Sequence, residues 1–373
     1  MKFLHTSDIH LGAKFENLGA AARDQREQLR KTFSKVVDLA IEQKVDLFLV
    51  AGDLFDSNHP SAKSIEFAKN EFLRLAQEGI KVCLIPGNHD YKLSDKKDLG
   101  KHFSKLAEQG IFLFTDPEGS KTYFEDIDTE VYAKANTTNK SSESPMVKVD
   151  DQRKAEKIIM AHGGVVGQAK DPQFPIQPKE IEESGANYVA LGDWHSMRDE
   201  SRGDVVAFYS GSPEILNISQ TGAGYVIIGT IDYGVVNTEQ RQVGAKEAKE
   251  IELNLEEFEN LQALKDAINK QANEGLILTV KLVGNNINKI ILDTDELERE
   301  LGDEFWRLRI QNNTHLPIEE FDDSDYPSVL ISGQFLQIMK EKINNAQSEE
   351  ERELYQEALK TGLQAFHDPD VIR

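Results

Sequence analysis

The sequence contains one cysteine, Cys83, in 373 residues. No internal disulfide can form, which predicts a reducing, cytoplasmic compartment. Basic residues are also scarce. Against 65 acids stand 43 lysines and arginines, a formal charge of −22. A free nucleic-acid binder normally carries a basic footprint. So either the substrate is small, or a local patch or a partner supplies the attraction to phosphate. Long hydrophobic runs are missing too: DLFLVAG (46–52) is far too short to cross a bilayer. The N-terminal MKFLHTSDIH has no signal-peptide pattern, because His and Asp interrupt its apolar run. No membrane association is expected, and no internal repeat is found. The remaining composition, 39% hydrophobic and 29% charged, fits a globular chain rather than a disordered one. Its length predicts two domains and an added terminal element.

The first 235 or so residues alternate short apolar strands with helical segments. KFLHTSD (2–8), VDLFLVAGD (45–53) and IKVCLIPGN (80–88) read as strands. Between them, residues 22–43 place Leu29, Phe33, Val36, Val37 and Ala40 on one helical face, and residues 61–79 form a second helix ending at Gly79. Near-continuous apolar strands joined by helices predict an α/β layered architecture. Further strands, KIIMAHGG (157–164), NYVALGD (187–193), VVAFYSG (205–211) and GYVIIGTID (224–232), have fewer helices between them. They predict mixed sheets or a sandwich. From residue 241 to 318 a small α/β alternation suggests a second domain. An acidic linker (319–328) and two amphipathic helices, about 333–346 and 349–366, close the chain.

Polar groups gather at the ends of the apolar strands. The first ends at Asp8, with His10 two residues on; the second at Asp53. The third leads to Asn88, His89 and Asp90. Later strands end at His162 and at Asp193 and His195. In open α/β sheets, sites form where the carboxyl ends of strands converge. Carboxylate, amide and imidazole, with no thiolate, suit divalent ions such as Mn²⁺, Fe²⁺ or Zn²⁺. Two such ions, about 3.5–4 Å apart, clamp a phosphoryl group and activate water. Asp53 is the natural bridge between them.

The ordered fragments DIH (8–10), GD (52–53), GNHD (87–90), HG (162–163) and GDWH (192–195) resemble the signature of the calcineurin-like metallophosphoesterases. More narrowly, FLHTSDIHLG (3–12), DLFLVAGDLFD (46–56) and YSGSPE (209–214) look like the SbcD nuclease family of double-strand-break repair. The resemblance covers residues 1–235 and matches the remainder in layout only. It implies a layered sandwich of mixed β-sheets flanked by helices (1–240), a small α/β capping domain (241–318), and a linker with a C-terminal helical pair (319–373). It implies Asp8, His10 and His195 at one metal, Asn88, His162 and residue 193 at the other, and Asp53 between. His89 would stabilise the scissile phosphate and protonate the leaving oxygen, with Asp90 orienting it. The implied partners are DNA, an SbcC-like coiled-coil ATPase gripped by the terminal helices, and a second copy of the chain. The family has His where this chain has Asp193. The extra carboxylate shifts the expected metal toward Mn²⁺ or Mg²⁺.

Other readings stay open on the sequence alone. Arg23, Arg26 and Arg30 on the first helix could meet phosphates or form a solvated face. The same metal signature would serve a phosphodiesterase for cyclic nucleotides or small esters, which the acidic charge suits. A decayed scaffold subunit is the third reading, with Asp193 its only sign.

Overall fold

The structure is a computed structural model. It describes every residue except 16–21, 150–153, 168–171, 218–220, 287–289, 291, 315–326, 347 and 368–373. The predicted acidic linker lies largely outside the described residues. The chain divides into two compact units, Met1–Ala248 and Lys249–Arg373.

In the first unit β1 (Lys2–Thr6), α1 (Ala22–Glu42), β2 (Leu47–Ala51), α2 (Ala62–Gln77), β3 (Lys81–Ile85) and β4 (Ile111–Leu113) follow in turn. Then come β5 (Ser120–Phe124), β6 (Thr129–Ala133), β7 (Glu156–His162), the short α3 (Pro178–Glu182), β8 (Tyr188–Gly192), β9 (Arg198–Asp199), β10 (Val206–Tyr209), β11 (Tyr225–Asp232) and β12 (Val235–Gln242). They form two six-stranded sheets, ordered β12-β11-β1-β2-β3-β4 and β5-β6-β7-β8-β10-β9. The strands β1 to β4 run parallel, whereas β11 is antiparallel to β1, so the sheet is mixed as the sequence predicts.

Apolar alternation explains the layering. Phe3, Leu47, Leu49, Cys83 and Ile85 on one sheet meet Val131, Ile158, Met160, Tyr188 and Ala190 on the other. The opposite face of the first sheet, with Leu4, Phe48, Val50, Val82 and Leu84, packs against Phe33, Val36 and Val37 of α1 and Phe72 of α2. Each strand is therefore apolar on both faces, which is why it reads as a continuous run. Ser61 starts α2 by accepting a hydrogen bond from the Ser64 amide.

One buried polar contact joins the sheets. His5 is fully buried, and its Nδ1 lies 2.9 Å from the Tyr188 hydroxyl. Burial pushes the His5 pKa from 6.5 down to about 3, against a smaller opposing effect of the Leu191 backbone. Between these values the unfolded chain binds a proton that the folded chain refuses. Stability therefore rises with pH across the window, is complete above 6.5, and is lost as pH falls toward 3. In urea unfolding, the stability gap between wild type and His5→Gln should narrow by about 2 kcal/mol from pH 6.5 to about pH 5. A constant gap would show that His5 does not titrate with folding.

The second unit holds a three-stranded sheet, ordered β13 (Glu247–Asn254), β14 (Asn273–Val283), β15 (Phe305–Asn312), with α4 (Leu261–Asn269) and α5 (Thr294–Leu301). Leu264, Ile268, Leu278, Val280, Leu297 and Leu308 build its core. The pair α6 (Ile331–Asn344) and α7 (Glu349–His367) has its own small core of Leu336, Met339, Leu359 and Leu363.

Candidate active site

The strands β1, β2 and β3 are parallel neighbours, as are β7 and β8. Their carboxyl ends deliver every polar residue that the sequence singled out. Asp8 follows β1, Asp53 follows β2, Asn88 and His89 follow β3, His162 ends β7, and Asp193 and His195 follow β8. The ligand atoms of Asp8, His10 and His195 lie within 4.8 Å of one another, and so do those of Asp8, Asp53 and His162. Asp8 belongs to both, a third group joins His10, Asp56 and His89, and Asp53 Oδ2 lies between the histidines, 3.5 Å from His10 Nε2 and 3.5 Å from His162 Nε2. Asn88 Oδ1 stands 3.1 Å from His162 Nε2, and Asp193 Oδ1 stands 3.9 Å away.

The backbone is bent to achieve this. Asp8, His10, Asp53 and Asp193 all adopt positive φ, at 52°, 50°, 51° and 101°. Such conformations are uncommon outside glycine and cost roughly 1–3 kcal/mol each. Backbone hydrogen bonds hold the turns: the Asp8 amide donates to the Gly52 carbonyl and the His10 amide to the Asp53 carbonyl. The Asp193 amide donates to the Asp8 carboxylate at 3.1 and 3.2 Å. Glycine is required where side chains crowd the backbone. A Cβ on Gly87 would lie 2.1 Å from Asp53 Oδ1, and one on Gly52 2.1 Å from His162 Nδ1.

Hydrogen-bond logic tests whether cations fit. His162 Nδ1 lies 2.9 Å from the Ala51 carbonyl, which can only accept, so this nitrogen carries the proton. In the neutral ring Nε2 then turns a lone pair toward Asp53 Oδ2, another acceptor. His10 repeats the pattern. Its Nδ1 faces Asp56 Oδ1 at 3.2 Å, and its Nε2 faces Asp53 and, at 3.2 Å, His195 Nε2. Acceptors facing acceptors need a proton or a cation between them. Imidazoles held at Nδ1 by a carboxylate or carbonyl, with Nε2 inward, match the usual support of metal-ligating histidines.

The ionisation pattern agrees. Burial alone would lower the His162 pKa, but the Asp53, Asp8 and Asp193 carboxylates hold it well above the ordinary value. Asp53, opposed by its burial, is pulled down by His162 and His10. Burial raises Asp193 to about 6 and lowers His195 to about 4. Asp8, Asp53 and Asp193 thus form a concentrated negative site whose charges are only partly answered by the imidazoles.

His89 sits at the exposed edge. Its amide donates to Asp53 Oδ1 at 2.9 Å, and its ring is 4.7 Å from that of His10, edge to face. Its Nδ1 is 3.1 Å from the Asp56 carbonyl, so Nε2 is the nitrogen left available. This corrects one sequence expectation. Asp90 does not orient the His89 ring. It is fully buried, and its carboxylate accepts from the amides of Phe55 at 3.0 Å and Gly87 at 2.8 Å. Those contacts brace the β2 and β3 turns, and burial raises its pKa to about 7. The residue that the sequence reading missed is Asp56, which holds His10 with its side chain and His89 with its carbonyl. Its signal was present in the quoted GDLFD, three places after Asp53. Of the weighed α1 arginines, Arg26 donates to the Lys14 carbonyl and Arg30 lies 3.6 Å from Glu27.

Residues 1–235 match the family described as calcineurin-like phosphoesterase. The uncharacterised metallophosphoesterase YhaO of Bacillus subtilis is 24% identical over 400 residues, covering 96% of each chain. The DNA double-strand break repair protein Mre11 of Sulfurisphaera tokodaii is 27% identical, over 87% of this chain and 83% of its own. Mre11 of Methanococcus maripaludis is 30% identical over 59% of each chain. Among solved structures, a dimetal phosphatase from Danio rerio aligns with 65% of this chain and 96% of its own, at 10% identity and TM-score 0.42.

Proposed function

Because this chain belongs to the calcineurin-like phosphoesterases, a family of metal-dependent phosphoester hydrolases, we propose that it is a two-metal DNA nuclease. The observation that carries the metal reading is the position of Asp53 Oδ2 between the His10 and His162 imidazoles. We assign Asp8, His10 and His195 to one ion, Asn88, His162 and Asp193 to the other, and Asp53 to both. When bound, the ions polarise the phosphoryl group and activate water for attack.

The chain's own residues do the rest. Asp53 receives the His89 amide, so the working imidazole is fixed to the same carboxylate that sets the site. The Asp56 carbonyl holds the proton on Nδ1, which leaves Nε2 for the substrate. A protonated Nε2 donates to the departing oxygen as general acid. Asp193 adds a hard oxygen donor and a charge, which favours Mn²⁺ over softer ions. Asp193→His should move metal preference from Mn²⁺ toward Zn²⁺ in calorimetric titrations. An unchanged ratio of affinities would remove Asp193 from the ligand set.

The nuclease reading is supported by relatives named as double-strand break repair proteins, one of which aligns with 87% of the chain. The C-terminal helices support a protein partner. Ile331, Ile338, Leu354 and Phe366 remain exposed on α6 and α7, at 75, 53, 62 and 47%. These exposed apolar side chains suit docking on a coiled-coil ATPase of the SbcC type, which would also offset the −22 charge. A homodimer and a cytoplasmic location complete the proposal; among the described residues no helix is long and apolar enough to cross a membrane.

The test is hydrolysis with Mn²⁺ of linear single- and double-stranded DNA, a cyclic dinucleotide and methyl p-nitrophenyl phosphate. DNA cutting is expected. Turnover of the small esters alone would keep the phosphodiesterase and end the nuclease reading.

A further inference from the structure

Three residues past His195, the chain builds an arrangement that the metal site does not use. Glu200 is 1% exposed, yet it carries a carboxylate. Each of its oxygens faces a different arginine: Arg202 Nη2 donates to Oε2 at 3.0 Å, and Arg198 Nε forms an ion pair with Oε1 at 3.0 Å, where Oε1 has no hydrogen-bond partner among the described residues. The arginine side chains are 37 and 36% exposed. The Arg198 guanidinium also rests 5.9 Å from the ring centre of Trp194, the residue between Asp193 and His195. The opposite neighbour, Asp199, is turned away; its carboxylate accepts from the Ser201 amide at 2.9 Å.

Burying a carboxylate is unfavourable unless paired, and an apolar residue of similar size is commonly as good for stability. The pairing here fixes two guanidinium groups at the surface. Arg198 is ion-paired to Glu200 through Nε, and among the described residues its two amino groups have no hydrogen-bond partner. A guanidinium anchored at Nε by a buried carboxylate, with its amino groups free, is suited to phosphate. Three peptide steps put the Arg198 Cα at most about 11 Å from that of His195.

We propose that Arg198 and Arg202, held by Glu200, clamp a backbone phosphate of a polynucleotide strand next to the scissile one. The proposal rests on the nuclease reading and deepens it: the substrate is a strand rather than a single diester. It also gives the acidic chain a local phosphate contact of its own.

The test separates the two claims. Binding of a fluorescein-labelled single-stranded oligonucleotide is measured by anisotropy in EDTA across a range of salt. Cleavage of the oligonucleotide and of methyl p-nitrophenyl phosphate is measured with Mn²⁺. Arg198→Gln should weaken binding several-fold and reduce the slope of log K against log salt by about 0.7, one phosphate contact on a single strand. Its ratio of oligonucleotide to small-ester rates should fall in step. Glu200→Gln is the sharper variant. It makes the protein less acidic, so a general charge effect would tighten binding, whereas loss of the clamp weakens it. Should Glu200→Gln fail to fold, Arg198→Lys replaces it: a charge without the fork should restore the salt slope but not the affinity. An unchanged slope in Arg198→Gln, with wild type still cutting DNA, overturns the clamp alone. A wild-type protein that neither binds nor cuts the oligonucleotide overturns the nuclease reading and the clamp with it.

Discussion

His89→Ala should lower phosphodiester hydrolysis by about 10²–10⁴-fold while both metals stay bound. The two halves of this expectation come from different contacts. The ring is exposed, with Nδ1 against the Asp56 carbonyl and Nε2 left available. Its removal takes away the proton donor. The His89 amide, which bonds Asp53 at 2.9 Å, is backbone and survives the substitution. Plasma emission spectrometry on the dialysed protein should therefore find wild-type metal content. Metal loss alongside the rate would make His89 a ligand and cancel its assignment as general acid. Equal rates in mutant and wild type would show that the leaving oxygen departs without it.

Asp53→Asn should have the larger effect on the site itself. Its Oδ2 lies 3.5 Å from both His10 Nε2 and His162 Nε2. The amide keeps the size but loses the charge. Its nitrogen, turned inward, would donate to imidazole nitrogens that should face a cation. The loss of one or both ions and a drop of more than about 10³-fold in kcat are expected, since a two-metal clamp with one ion gone cannot serve both oxygens. Calorimetric titration of Mn²⁺ reads the stoichiometry directly. Two ions bound with wild-type affinity would refute the bridging role. Tm in EDTA should fall, because Asp53 is buried and its carboxylate pairs with His162 and His10, which the amide leaves without their counter-charge.

Most of the site could be read along the chain for a physical reason. Buried parallel strands are apolar on both faces, so an Asp or His at their ends has few structural uses. Asp8, Asp53, Asn88, His162 and His195 stood out against such runs. Asp90 also stood out, but its role was assigned by adjacency to His89. Its carboxylate turns instead into the protein and accepts the Phe55 and Gly87 amides. Side-chain direction in a tight turn depends on φ and ψ, which neighbouring letters do not reveal.

The sequence by itself determined the strand–helix alternation, the five strand ends that carry the polar residues, and the shortage of positive charge. These depend on local periodicity and on composition. The sequence already pointed to Asp53 as the bridge; three dimensions alone revealed that Asp56 supports both His10 and His89, and that Glu200 is buried between two arginines. Those facts depend on atoms brought together from distant turns, some forced to positive φ by hydrogen bonds between strands. A charged residue in a sequence looks solvated until packing shows which side of the surface its carboxylate faces.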